Sequence, residues 1–247
     1  MLNQISASAM IVRLDGMGEP TLHPQIFDMV RLAKSRRLSV VMHSNFNTKV
    51  CEDPVPFVTS GLDRLVISID GATQQAHSQY RVGGSLEKVC ANVRRLVEVR
   101  RILRSPNPLI EIQTVDFPFN RDQQHAIRQL ALDLGADRYQ ITEADRSTKS
   151  ARINPRRPRR CPWLWTVVTV GWDLNYRSCT NAWSFPWPRC NVRQVPILEM
   201  WNGRLIREAR RFNLDKSSPE IDCDAGCKCN RCYEMLVEPM HGDYFCE

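Results

Sequence analysis

Five short runs rich in apolar and β-branched residues, at 11–14, 39–45, 64–70, 109–116 and 138–143, recur through the first 143 residues with amphipathic stretches between them. The clearest of those stretches, 86–103, carries Leu86, Val89, Cys90, Val93, Leu96 and Val97 along one face. The pattern repeats with Ile26, Met29, Val30 and Ala33 in 23–37, and with Ile127, Leu130, Ala131 and Leu134 in 121–135. Strands that alternate with helices pair in parallel, carry the helices outside, and gather functional groups at their C-terminal ends. Those ends are Asp15 and Gly16, Ser44 and Asn45, Ser68 and Asp70, Thr114 and Asp116, and Thr142 and Glu143. The expected fold class is α/β, a partial (β/α) barrel.

The pattern stops near residue 150. Residues 151–160, ARINPRRPRR, interleave arginines with Asn154, Pro155 and Pro158, which forbid a helix, and they contain no aromatic ring for stacking on a base. The run reads as a solvated linker, and nucleic acid is not the expected partner despite a net charge of +7. The division is therefore 1–150 for the barrel, 151–160 for the linker and 161–247 for a small Cys-rich domain. In the latter, TVVTVGWDLNYRSC reads as a hairpin turning near Gly171 to Asn175. VPILEMWNGRLIREARRF follows as an amphipathic stretch that Asn202-Gly203 would interrupt.

Ten cysteines in 247 residues is a high count, and five of them lie between Cys223 and Cys246. The first residues show no basic start followed by an apolar run, and no stretch is long enough to span a membrane, so a reducing cytoplasm is expected and metal binding outranks disulfides. Cys161 and Cys179 bracket the hairpin, and Cys229 and Cys232 form CNRC; four soft thiolates converging in this way suit an iron–sulfur cluster or a tetrahedral zinc site. Cys190, Cys223, Cys227 and Cys246 are candidates for a second site. Cys90 reads as core and Cys51 as a spectator. Glu111, Asp116 and Glu143 lie near strand ends, where ion pairing is the simpler role.

DGMGEP at Asp15 to Pro20 follows the first strand directly, and its glycines let backbone carbonyls approach a ligand's ammonium group. GMGEPTLHP, HSNFNT, LDRLVISIDGATQQAHSQYRVGG and CPWLWTVVTVGWDLNYRSC resemble, in that order, segments of radical SAM enzymes with a C-terminal SPASM or twitch extension. The resemblance implies a partial barrel that holds S-adenosylmethionine and an extension that holds an auxiliary 4Fe-4S cluster. It places Gly16, Gly18, Glu19 and Pro20 in the motif that receives the methionine amino group, with Met17 where a second glycine is usual. It places Asn45 at the polar end of the next strand, and Ser68 and Asp70 at the strand end near the ribose. It assigns Cys161, Cys179, Cys229 and Cys232 to the auxiliary cluster, and the tryptophan-rich context favours iron over zinc.

The family's cluster loop, CxxxCxxC after a first strand, has no counterpart in the ten residues before Ile11. The expectation is thus a barrel without its first βα unit, an exposed strand edge, and a chain that does not by itself generate a 5′-deoxyadenosyl radical. The implied function is hydrogen-atom abstraction and oxidation of a peptide or small hydroxylated substrate, with a ferredoxin or flavodoxin as reductant. The alternative is a non-catalytic iron–sulfur binding or electron-transfer relative.

Overall fold

The computed structural model describes residues 2–5, 7–16, 18–143, 163–177, 191–203, 206–207 and 210–211. Its elements are α1 (Leu2–Ile5), β1 (Ile11–Leu14), α2 (Ile26–Ser35), β2 (Ser39–Ser44), α3 (Val55–Thr59), β3 (Arg64–Ser68), α4 (Gln74–Tyr80), α5 (Leu86–Ile102), β4 (Leu109–Asp116), α6 (Gln124–Asp133), β5 (Arg138–Glu143), α7 (Trp163–Thr166), β6 (Thr169–Val170), β7 (Tyr176–Arg177) and α8 (Ile197–Trp201). The chain divides into two compact units. One holds the described residues from 7 to 143 with Leu2; the other holds Asn3–Ile5 and the described residues from 163 onward.

The first unit is a single sheet in the order β1-β2-β3-β4-β5, every pair parallel. The expected α/β architecture is observed as an open sheet. Register fixes which side chains share a face: Met42 pairs with Leu65, Leu65 with Ile110, and Ile112 with Tyr139. Val40, Met42, Leu65, Ile67, Ile110 and Ile112 bury one face in a core shared with Val30 and Ala33 of α2, Val89, Val93 and Leu96 of α5, and Ile127 and Ala131 of α6. Phe57 of α3 completes that core, edge-on to Phe27 at 4.8 Å and to Phe46 at 5.2 Å between ring centroids, the arrangement that aromatic quadrupoles favour.

Three expected boundaries shift for local reasons. The helix in 23–37 begins at Ile26 because Pro20–Leu22 forms a separate 3-10 turn, and it stops before Arg37, whose φ of 60° is left-handed. The third strand ends at Ser68 rather than residue 70, where Asp70 leaves the ladder to make side-chain bonds. The helix in 121–135 opens as a 3-10 turn over Arg121–Gln123 and terminates at Gly135, with φ of 77°. Helices α3 and α4 and the 3-10 turn Lys49–Glu52 lack a long apolar period and are found in the structure alone.

In the second unit β6 and β7 form an antiparallel hairpin whose turn is closed by Gly171 N–H donating to the Asn175 carbonyl at 2.9 Å. This matches the expected turn. Asp173 clasps Arg177 through two 3.0 Å bonds, and the guanidinium holds the Asp173 carboxyl well below the usual carboxylate range. Helix α8 ends at Trp201, before the Asn202-Gly203 pair. Its Ile197 and Met200 pack with Tyr176, Ile206 and Ile5, and Ile197 N–H donates to Gln4 Oε1 at 3.1 Å. No helix among the described residues is long and apolar enough to cross a membrane.

Candidate functional site

The turn after β1 carries two left-handed glycines, Gly16 at φ 139° and Gly18 at φ 123°. A Cβ on Gly18 would meet nothing within 4 Å, so its backbone faces open space. Glu19 does not project into that space. Its Oε1 accepts from Thr21 N–H at 3.1 Å, Thr21 Oγ1 at 2.7 Å and Ser44 Oγ at 2.7 Å, while Oε2 accepts from Asn45 N–H at 2.7 Å. One carboxylate thus caps the 3-10 turn that begins at Pro20 and ties it to the end of β2. Asn45 spends its side-chain oxygen on Asn47 N–H at 2.9 Å, which shapes the loop that leaves β2.

A buried chain extends below this clamp. Thr21 Oγ1 lies 2.8 Å from Thr48 Oγ1, and Thr48 Oγ1 lies 3.3 Å from Cys51 Sγ. Burial pushes the Cys51 thiol up, so Cys51 is a neutral core group, as is Cys90 on the apolar face of α5.

At the end of β3, Ser68 and Asp70 part ways. Ser68 is half-buried and its hydroxyl has no hydrogen-bond partner among the described residues. Asp70 is fully buried, with Oδ2 accepting from Arg81 Nε at 2.6 Å and Oδ1 accepting from Val115 N–H at 2.7 Å. Its backbone is held too: the carbonyl accepts from Asn120 Nδ2 at 2.9 Å, and the N–H donates to His77 Nδ1 at 3.3 Å. Arg81 lies over the Tyr80 ring at 4.8 Å, and Tyr80 contacts Phe117 at 4.5 Å, so an aromatic shoulder stands beside the C-terminal ends of β3 and β4.

The sheet face opposite the helices carries charged side chains beside the buried Val41 and Val66. Arg13 Nη2 donates to Asp15 Oδ2 at 2.5 Å and lies 3.3 Å from His43 Nε2, which is 3.6 Å from the same carboxylate. Burial pushes the His43 imidazole below its ordinary value; Asp15 opposes that, and Arg13 and Arg64 add to it. Glu111 is buried, with Arg64 Nη1 at 3.5 Å from its Oε2. Asp116 pairs with Arg121 at 3.0 Å. Both carboxylates therefore take the ion-paired role; the Glu143 side chain is outside the described residues.

The arrangement is a set of parallel strand ends with a glycine turn that presents its backbone, an unpartnered hydroxyl at Ser68 and a charged inner face. Arg13, His43 and Arg64 escape motif reading, although their alternation with apolar residues along β1, β2 and β3 is visible in the sequence. Cys161, Cys179, Cys229 and Cys232, the further cysteines Cys190, Cys223, Cys227 and Cys246, and the arginines of 152–160 lie outside the described residues. Among the described residues no group of three or more His, Cys, Asp or Glu is arranged to hold a metal ion.

Five parallel strands with their helices make this a βα protein, an architecture in which functional groups gather at the C-terminal edge of the sheet. The chain is 27% identical to an AdoMet-dependent heme synthase of Methanosarcina barkeri over 288 residues, covering 93% of this chain and 80% of that protein. It is 28% identical over 128 residues to the tungsten-containing aldehyde ferredoxin oxidoreductase cofactor-modifying protein of Pyrococcus furiosus, covering 51% of this chain and 36% of that one. Among solved structures, Streptococcus suis SuiB bound to S-adenosylmethionine superposes with a TM-score of 0.67 at 12% identity, covering 85% of this chain and 59% of that one. No family model matches the chain. The resemblance read from the motifs is borne out: the chain is similar in sequence to these two proteins, and its fold is that of SuiB.

Proposed function

We propose that the chain is part of a radical SAM protein of the SPASM or twitch kind which, given the CxxxCxxC cluster that this sequence does not contain, abstracts a hydrogen atom from, and oxidises, a peptide or small hydroxylated substrate. The observation that carries this is the pair of left-handed glycines, Gly16 and Gly18, after β1, followed by the Glu19 clamp onto Ser44 and Asn45. Its backbone carbonyls suit the methionine ammonium, and the free Ser68 hydroxyl suits a ribose oxygen. S-adenosylmethionine, when bound and cleaved reductively, supplies the hydrogen-abstracting chemistry. The residues of this chain orient it: Gly16 and Gly18 leave room, Glu19 and Pro20 fix the turn, and Asp70 locks the end of β3 through Arg81 and Val115.

In the extension Cys161, Cys179, Cys229 and Cys232 would hold an auxiliary 4Fe-4S cluster, which supplies a one-electron acceptor or a substrate anchor, with a ferredoxin or flavodoxin as the external reductant. A second reading, an iron–sulfur binding or electron-transfer relative without radical chemistry, is favoured by the Glu19 carboxylate, whose four internal donors compete with an incoming ammonium.

Anaerobic reconstitution with iron and sulfide, followed by counts of iron, sulfide and zinc, tests the cluster. About four irons with matching sulfide, lost in Cys161→Ala and Cys232→Ala, is the expected result; zinc without sulfide overturns it. Equilibrium dialysis with S-adenosylmethionine tests the barrel. Cleavage of S-adenosylmethionine by this chain alone under strong reductant would overturn the second reading.

A further inference from the structure

Alternation along the strands puts Arg13 of β1, His43 of β2, Arg64 of β3, Glu111 of β4 and Arg138 of β5 on the sheet face opposite the helices. Arg13 is committed there. Its Nε and Nη2 both donate to Asp15 Oδ2, at 3.2 and 2.5 Å, and Nη2 faces His43 Nε2 at 3.3 Å. A guanidinium has donors alone, so a hydrogen bond between the two requires an unprotonated Nε2 on His43.

Arg64 is not committed. Its Nη1 reaches Glu111 Oε2 at 3.5 Å, the outer limit of a hydrogen bond, and its Nε is buried with no partner. No bond uses Nη2. Nε–H and Nη2–H point the same way and form the fork that matches the two oxygens of a carboxylate. On Arg13 the same fork is filled by Asp15. Charge on this face points the same way: the cations Arg13, Arg64 and Arg138 stand against the carboxylates Asp15 and Glu111, and one carboxylate more would neutralise the face.

We propose that the unfilled fork of Arg64, beside His43 on the inner sheet face, is a subsite that binds a carboxylate of the substrate. This deepens the functional reading above and rests on it for the word substrate. The carboxylate approaches Nη2–H from the open side of the sheet, a shift of neighbouring side chains uncovers the buried Nε–H to complete the bidentate pair, and Glu111 keeps its contact with Nη1.

The test uses the whole chain labelled with 15N-histidine, with the His43 signals assigned by loss in His43→Gln, and titrates in glutarate against the uncharged glutaramide. Saturable shifts of His43 with glutarate and none with glutaramide are expected, with affinity at least tenfold weaker in Arg64→Gln. Arg64→Lys, which keeps the charge and most of the stem but lacks the fork, serves if the glutamine variant does not fold, and the same weakening is expected. Equal affinity in these variants, or a response that chloride reproduces, overturns the subsite. S-adenosylmethionine also carries a carboxylate, so its addition is the third arm. Glutarate binding that survives saturating S-adenosylmethionine supports a substrate subsite; competitive displacement assigns the fork to S-adenosylmethionine and overturns it. Bound S-adenosylmethionine with no glutarate response sinks this inference alone, whereas glutarate binding without S-adenosylmethionine binding sinks the functional reading.

Discussion

Glu19 Oε1 accepts the Ser44 hydroxyl at 2.7 Å, which makes the turn after β1 and the end of β2 one unit. Glu19 caps the 3-10 turn after β1 and Ser44 ends β2, 25 positions along, so the bond ties the glycine turn to the neighbouring strand. Glu19→Ala removes the acceptor for four donors, two of them backbone N–H groups. Hydrogen bonds to a charged group contribute roughly 1.5–3 kcal/mol each and are not additive, so a loss of about 3 kcal/mol is expected in urea unfolding. Ser44→Ala removes one donor and should cost about 1–2 kcal/mol. S-adenosylmethionine binding falls in both variants, further in Glu19→Ala. Unchanged stability in Glu19→Ala would show that the clamp does not order the turn.

The two glycines at strand ends answer differently to the same substitution. Gly18 has left-handed φ but open space around its missing Cβ, so Gly18→Ala costs backbone strain alone, about 1–2 kcal/mol. At Gly71 an added Cβ would lie 2.4 Å from His77 N and 2.7 Å from the Ala76 carbonyl carbon. Those are backbone atoms of α4 and cannot swing aside. Gly71→Ala is expected to cost about 3 kcal/mol or more and to disturb the packing of α4. Thermal melts of the pair, read with the near-ultraviolet signal of Tyr80 and its aromatic neighbours, separate the two cases.

The fold was legible in the sequence because β2, β3 and β4 are buried on one face by Val40, Met42, Leu65, Ile67, Ile110 and Ile112, and α5 presents a matching stripe. β-branched and aliphatic runs of that length between amphipathic helices leave few alternatives to a parallel sheet. Less was legible where polar side chains do the ordering. Asp70 reads as a polar strand end in the sequence, yet its partners Arg81, Val115 and Asn120 come from segments 11 to 50 residues away. Glu19 reads as a ligand acceptor, and its donors are Thr21, Ser44 and Asn45. Local pattern marks where a carboxylate sits along the chain and carries no information on which distant donor folds against it. The same limit hid Arg64, whose identity as an inward cation follows from register alone.

Asp70 and Arg81 form an ion pair at 2.6 Å in which the carboxylate is fully buried. Breaking such a pair by removing one partner is strongly destabilising, about 3–5 kcal/mol, because the other charge is left without compensation. Asp70→Ala should show that loss in denaturant unfolding and also release Val115 N–H. Arg81→Gln leaves the buried aspartate with the Val115 N–H but without its cation, so a loss of similar size is expected. If Asp70→Ala instead melts like the parent protein and loses S-adenosylmethionine binding alone, the residue contacts ligand rather than ordering the sheet.

His77 ties the same corner to pH. It is buried, and its Nδ1 accepts the Asp70 backbone N–H at 3.3 Å, which requires an unprotonated nitrogen. Burial pushes its pKa below the ordinary 6.5; Asp70 opposes that shift and Arg81 adds to it. Below pH 6.5 the unfolded chain therefore takes up a proton that the folded chain refuses. The stability contributed by neutral His77 is complete above the unfolded value and is lost as pH falls through 6.5 toward the depressed folded value. His43 is shifted in the same direction and adds a parallel loss. The informative quantity is thus the difference between the parent and His77→Gln, each unfolded in urea from pH 7.5 to pH 5. The glutamine variant, less stable at pH 7.5 for want of the imidazole's packing, should lose stability less steeply on acidification, so that the two curves converge. Parallel curves would mean that His77 titrates alike in the folded and unfolded chains, and that the Asp70 corner is held by Arg81 without help from the imidazole.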